Sequence, residues 1–180
     1  MKPITKAELI KEDRAYGFQP ELTKRLDGHR GDFDQATIKD ITLWKVNRYP
    51  VIESGLIAEL NKIKKTDEEY KREKLRSLLI RLLAYRGVQL PMASTYLRFK
   101  NPKLFQIIDQ RVYRALYGTE MVLPGAYNAA NRKRLVDIYF NYLDDLRRQC
   151  EELGIPFEDA DRILYNVDKR INKTTRLKNY

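Results

Sequence analysis

Residues 83–116 read LAYRGVQLPMASTYLRFKNPKLFQIIDQRVYRAL. Two apolar patterns of helical period flank a glycine-centred turn, and an aspartate follows 22 residues after Gly87. Upstream, Leu75, Leu78, Leu79, Leu82 and Leu83 fall at i, i+3, i+4, i+7 and i+8, one apolar stripe of a helix. Gly87 then reads as the residue just past that helix, where a positive φ is needed. Val88 is apolar and plugs a core. Pro91 suits the first turn of the next helix, where a missing N–H is no loss. Ala93 and Ser94 are small, so the paired helices can approach closely. Such a turn leaves backbone N–H groups at a helix N-terminus, where a phosphate can bind. The same pattern equally describes a glycine-capped packing corner. Asp109 carries two readings as well. Aspartate is a favoured helix N-cap, and QRVYRAL after it has an apolar stripe. Yet FQII before it would desolvate the carboxyl, and Arg111 and Arg114 after it are placed to reach phosphates. A carboxylate in that setting can stabilise a sugar cation and activate water.

Outward from this stretch, helical period continues. Leu135, Ile138, Tyr139, Tyr142, Leu143 and Leu146 form one stripe, and Ala160, Ile163, Leu164, Val167 and Ile171 another. Ile38, Ile41, Trp44 and Val46 predict a helix from about Asp34 to Arg48, ended before Pro50, and Val51 to Ile63 a shorter one. No segment sustains alternation of period two. The expected architecture is all-α, a helical bundle of about 8–10 helices. It is read as one unit over residues 1–180, divisible into lobes at about 67–125 and at 1–66 plus 126–180. The tail NKTTRLKNY is polar and basic and is expected to fray.

Composition narrows the function classes. No apolar run reaches the ~20 residues of a membrane span, and MKPITKAELIKEDR lacks the apolar core of a signal peptide. Cytoplasmic or nucleoid residence is the expectation. A single cysteine, Cys150, leaves no internal disulfide and no cysteine-based zinc site. The one histidine, His29, lies in the loop-like DGHRGD and reads as a surface residue. The net charge is +10, and it is segregated. Residues 70–117 hold 11 basic and 2 acidic side chains and residues 162–180 hold 6 and 1, whereas residues 1–69 balance at 13 and 13. A polyanionic partner accounts for such segregation, because each neutralised phosphate releases counterions.

Taken together these residues resemble the helix-hairpin-helix superfamily of DNA glycosylases, endonuclease III-like and adenine-mismatch enzymes among them. The family hairpin, roughly L-x-G-V-G-x-x-x-A-S, is matched by RGVQLPMAS at Gly87, Val88, Ala93 and Ser94. The family's F-P-I-x-D-x-x-V-x-R is matched by FQIIDQRVYR at Phe105, Ile107, Asp109, Val112 and Arg114, with the family's spacing between the two. The resemblance covers about 35 residues. It implies a glycosylase fold, double-stranded DNA as partner to a monomer, and Asp109 as the catalytic carboxylate. It also implies a hairpin that holds DNA, and sometimes a monovalent cation, through Gly87, Val88 and Gln89 with Arg86. Gln89 replaces the second hairpin glycine. Pro91 stands where bifunctional members carry a Schiff-base lysine, so the implied enzyme is monofunctional, with Lys100 and Lys103 the nearest amines. There is no four-cysteine motif and hence no iron–sulfur cluster.

Two further clusters are candidates. In LWKVNRYP, Lys45 and Arg48 are candidate DNA contacts, and Trp44 and Asn47 candidate walls of a base pocket. The plainer reading makes Trp44 core and the rest solvated. In DADRILYNVDKR, Asp161, Tyr165 and Asp168 share one helix face and can present a second carboxylate to a pocket, while Arg162 and Lys169 can track a phosphate strand. The plainer reading is a surface helix with intrahelical pairs. Tyr85, Tyr96, Tyr113 and Tyr117 fall in the basic segment, placed either to stack on bases or to pack as half-buried residues.

Overall fold

A computed structural model describes residues 19–45, 50–175 and 177. Among these residues every regular element is helical: α1 (Pro20–Asp27), α2 (Gln35–Lys45), α3 (Ser54–Leu60), α4 (Arg72–Leu82), α5 (Leu90–Lys100), α6 (Gln110–Tyr117), α7 (Ala129–Leu153) and α8 (Ala160–Ile171), with one 3-10 turn at Phe157–Asp159. The protein is all-α. No described helix is long and apolar enough to cross a membrane.

The chain divides between Tyr49 and Pro50 into two compact units. The boundary differs from lobes of 67–125 and 1–66 plus 126–180, because the leucine stripe of α4 and the apolar face of α7 pack into one core. In the smaller unit, α1 packs on α2. Asp34 opens α2 by accepting the Thr37 N–H at 2.7 Å, close to the expected start. Trp44 is half-buried rather than core. Its Nε1 donates to Thr23 Oγ1 at 2.9 Å, since an indole N–H taken out of water seeks an acceptor. Lys45 is exposed. Asn47 and Arg48 lie outside the described residues.

The larger unit is built around α4 and α7. Leu75, Leu78, Leu79 and Leu82 are all buried on α4, as the spacing predicts. On α7 the buried set includes Leu135, Tyr139, Tyr142, Leu146 and Cys150. Asn128 caps α7 by accepting the Asn131 N–H at 2.9 Å, and Gly154 at φ +64 ends it. Helix α8 packs against α6 and buries Ala160, Asp161, Leu164 and Asp168. That face, expected as a surface with intrahelical pairs, instead carries two buried carboxylates into the fold.

Candidate active site

The hairpin turns differently from its sequence reading. Helix α4 ends at Leu82, so Gly87 is not its immediate terminator. Gly87 does take a positive φ of +83, but within a turn that the Val88 N–H closes on Tyr85 O at 3.1 Å. Val88 is 1% exposed. Its side chain is core and its N–H is spent in the turn, which corrects its assignment as a DNA contact. Gln89 and Arg86 are exposed and Gly87 half-buried. Pro91 stands in the first turn of α5 as expected.

Beyond α5, residues 105–108 run without helix or strand partners, and their backbone groups are satisfied by buried side chains. The Tyr139 hydroxyl donates to Gln106 O at 3.0 Å, and the Tyr142 hydroxyl to Ile107 O at 2.6 Å. The Ile107 N–H donates to Asp161 Oδ2 at 3.2 Å. The Ile108 N–H donates to Ser94 Oγ at 3.2 Å. In the other direction, the Asp161 N–H donates to Gln106 Oε1 at 3.3 Å. Buried main-chain groups need partners, and here α5, α7 and α8 supply them. The small Ser94 therefore does more than permit close approach. It ties the hairpin helix to the residue before Asp109.

Asp109 is the N-cap of α6, its Oδ1 accepting the Val112 N–H at 2.8 Å. Desolvation raises its carboxyl above the ordinary carboxylate range, against the lowering pull of the Val112 and Arg111 N–H groups and of the Arg111 charge, with the Asp161 charge adding to the rise. Beside it opens a cavity of about 340 Å³ lined by Ile107, Asp109, Asp161, Arg162, Tyr165 and Asn166. That lies at the small end of ligand pockets, about 300–1,000 Å³. Asp161 is 3% exposed and lies 3.5 Å from Arg98 Nε, itself buried on α5. Two carboxylates and a tyrosine thus share one wall, as a flipped-base pocket requires. The arrangement can bind a polar planar ligand and hold a basic oxygen against it. No cluster of three or more metal-ligating His, Cys, Asp or Glu side chains occurs among the described residues.

The arginines after Asp109 behave otherwise than expected. Arg114 is 7% exposed and grips Asp168 in a bidentate pair, Nε to Oδ1 at 2.7 Å and Nη2 to Oδ2 at 2.8 Å. It has no reach to a phosphate, which corrects that assignment. Arg111 also donates to Asp168 Oδ2, at 3.1 Å, with its guanidinium carbon 5.6 Å from the Tyr165 ring centre. The wider basic segment shows the same neutralisation. Arg72, Arg76 and Arg98 pair with Asp144, Asp137 and Asp161, and Arg81 with Glu53 and Glu59. Much of the charge segregation along the chain therefore serves bridges between helices. Exposed cations remain at Lys71, Lys74 and Lys103 and, on and just after α8, at Arg162, Lys169, Arg170 and Lys173. Lys100 donates to Asn61 Oδ1 at 3.1 Å.

Of the four tyrosines of the basic segment, Tyr117 donates to Asp145 Oδ2 at 2.7 Å and packs 4.4 Å, ring to ring, from Tyr113; neither lines the cavity. The residues that sequence reasoning missed are Tyr139, Tyr142 and Arg98. The first two read only as members of an apolar stripe. Arg98 carried a signal, a cation one position after the buried Leu97 and four after the buried Ser94. No family model, curated protein or solved structure matches this chain.

Proposed function

We propose that this protein is a monofunctional DNA N-glycosylase of helix-hairpin-helix type, acting on a damaged or modified base flipped out of duplex DNA. The observation that carries this reading is the desolvated Asp109 carboxylate, held at the wall of a base-sized cavity with Asp161 and Tyr165. Exposed cations on α8 border that cavity through Arg162 and offer the phosphate contacts that Arg114 cannot.

In this reaction the bond from C1′ to the base nitrogen breaks and its electron pair leaves with the base. Asp109 stabilises the cationic sugar, and water adds to C1′ as Asp109 takes its proton. The base nitrogen acquires a proton from solvent, and Asp109 later returns its own. Burial makes Asp109 a stronger base than a free aspartate. The step uses no cofactor and no lysine. The protein would work as a monomer on nucleoid DNA in the cytoplasm.

The test is incubation with duplexes bearing a panel of lesions, then alkaline cleavage at abasic sites. Base release by the wild type, lost in Asp109→Asn, is the expected result. Full retention in Asp109→Asn overturns the role of Asp109. A second reading, a non-catalytic DNA-binding hairpin, draws on the ordinary N-cap geometry of Asp109. It predicts salt-dependent duplex binding with no abasic sites from any substrate.

A further inference from the structure

The cavity wall holds a buried polar atom that the fold leaves unsatisfied. Asp161 Oδ2 takes the Ile107 N–H at 3.2 Å and faces Arg98 at 3.5 Å. Asp161 Oδ1 is buried and has no hydrogen-bond partner. An orphaned acceptor on a carboxylate bears its full desolvation cost in the folded state. Asp161 nonetheless lines the cavity, so a ligand donor can supply what the fold omits. The neighbouring atoms fix its position. Oδ2 is anchored to the Ile107 N–H, and the Asp161 N–H is anchored to Gln106, so Oδ1 is presented on a braced carboxylate and costs little ordering when a donor arrives.

We infer that Asp161 is the specificity residue of this cavity, and that Oδ1 accepts a hydrogen bond from an exocyclic amino group on the nucleobase seated there. The assignment rests on the base-release reading above and sharpens it to amino-bearing bases of the adenine or cytosine kind. A carboxylate oxygen attracts an N–H₂ edge and repels a carbonyl oxygen in the same place, so replacing amino by oxo both removes a bond and adds a clash of like charge. Tyr165 forms the neighbouring wall. Its ring has Arg111 and Lys169 cations each at 5.6 Å, which hold it in place beside the base. Asp109 remains free for the sugar, since its Oδ1 is engaged with α6 rather than with Asp161.

The test compares bases that differ in that one group. Isotope-labelled protein is titrated with free adenine against hypoxanthine, and cytosine against uracil, following the backbone amide signals of Ile107, Asp161 and Asn166 by NMR. The expected result is binding about tenfold or more tighter for the amino member of each pair, with the preference gone in Asp161→Asn, whose amide both donates and accepts. Equal affinity within a pair, no binding of any base at the cavity, or an unchanged preference in Asp161→Asn each overturns the assignment. The wild-type comparison stands even if Asp161→Asn fails to fold. Failure of the underlying reading looks different. Abasic sites appearing only at bases without an amino edge would sink this inference and leave the glycosylase standing. Amino-selective binding at the cavity with no abasic sites from any duplex would do the reverse.

Discussion

Asp109 is asked to do two jobs, and they respond differently to mutation. As an N-cap its Oδ1 holds the Val112 N–H at 2.8 Å. As a desolvated carboxylate at the cavity it is strained toward its neutral form. Asp109→Asn keeps a capping oxygen and removes the charge, whereas Asp109→Ala removes both. The difference between the two variants therefore isolates the cap, worth about 1 kcal/mol, or roughly 3–4 °C in Tm for a unit of this size. The difference between wild type and Asp109→Asn reads the desolvation cost. Its pH dependence follows from the direction of the shift. The folded carboxyl titrates above the unfolded value of 3.8, so the cost is fully present above the folded pKa. It fades as pH falls and is gone below 3.8. Asp109→Asn should thus melt at or above wild type at pH 7, with the gap closing in acid, while losing base release. Such a trade of stability for function is the mark of a working carboxylate. Melts followed by circular dichroism from pH 7 down to pH 4 decide the matter. A variant clearly less stable than wild type at pH 7 would refute the desolvation argument, and an Asn–Ala difference near zero would refute the cap.

Three further perturbations test the frame around the site. Asp168→Ala strands the Arg114 guanidinium in the interior, and about 3–5 kcal/mol should be lost in urea unfolding. Because Arg114 holds the Asp168 carboxyl below 3.8, the stabilising pair is fully present above 3.8. In wild type it is lost only as pH falls through that lowered value, so acid unfolding of Asp168→Ala should lack this component. Tyr142→Phe leaves Ile107 O buried without its donor. It should cost about 1–3 kcal/mol and lower kcat more than it raises KM, as the segment leading to Asp109 loosens; an unchanged kcat would count against positioning by this tyrosine. Gly87→Ala meets nothing within 4 Å of the added methyl, so its cost is the positive φ alone, about 1–2 kcal/mol. A neutral melt would show that the turn relaxes.

What the sequence by itself determined is local. Helical period fixed the all-α class and the buried stripes of α4 and α7, because spacing along a helix decides which side chains share a face. The breakers Gly87, Pro91 and Gly154 marked turns for reasons of backbone sterics that need no partner. Asp109 was legible as a cap because its partner is three residues away. What tertiary structure alone decided concerns groups far apart in the chain. Arg114 and Asp168 are 54 residues apart, and nothing in either neighbourhood announces that one neutralises the other. The basic segment read as a footprint for phosphates, yet folding spends much of it on carboxylates of distant helices, because charge along a chain does not tell which charges meet. The cavity itself arises where α6 and α8 pack. Its Asp161 was visible as a carboxylate on a helix face. That one oxygen is anchored to Ile107 and the other left for a ligand is a matter of three-dimensional geometry, which periodicity cannot carry.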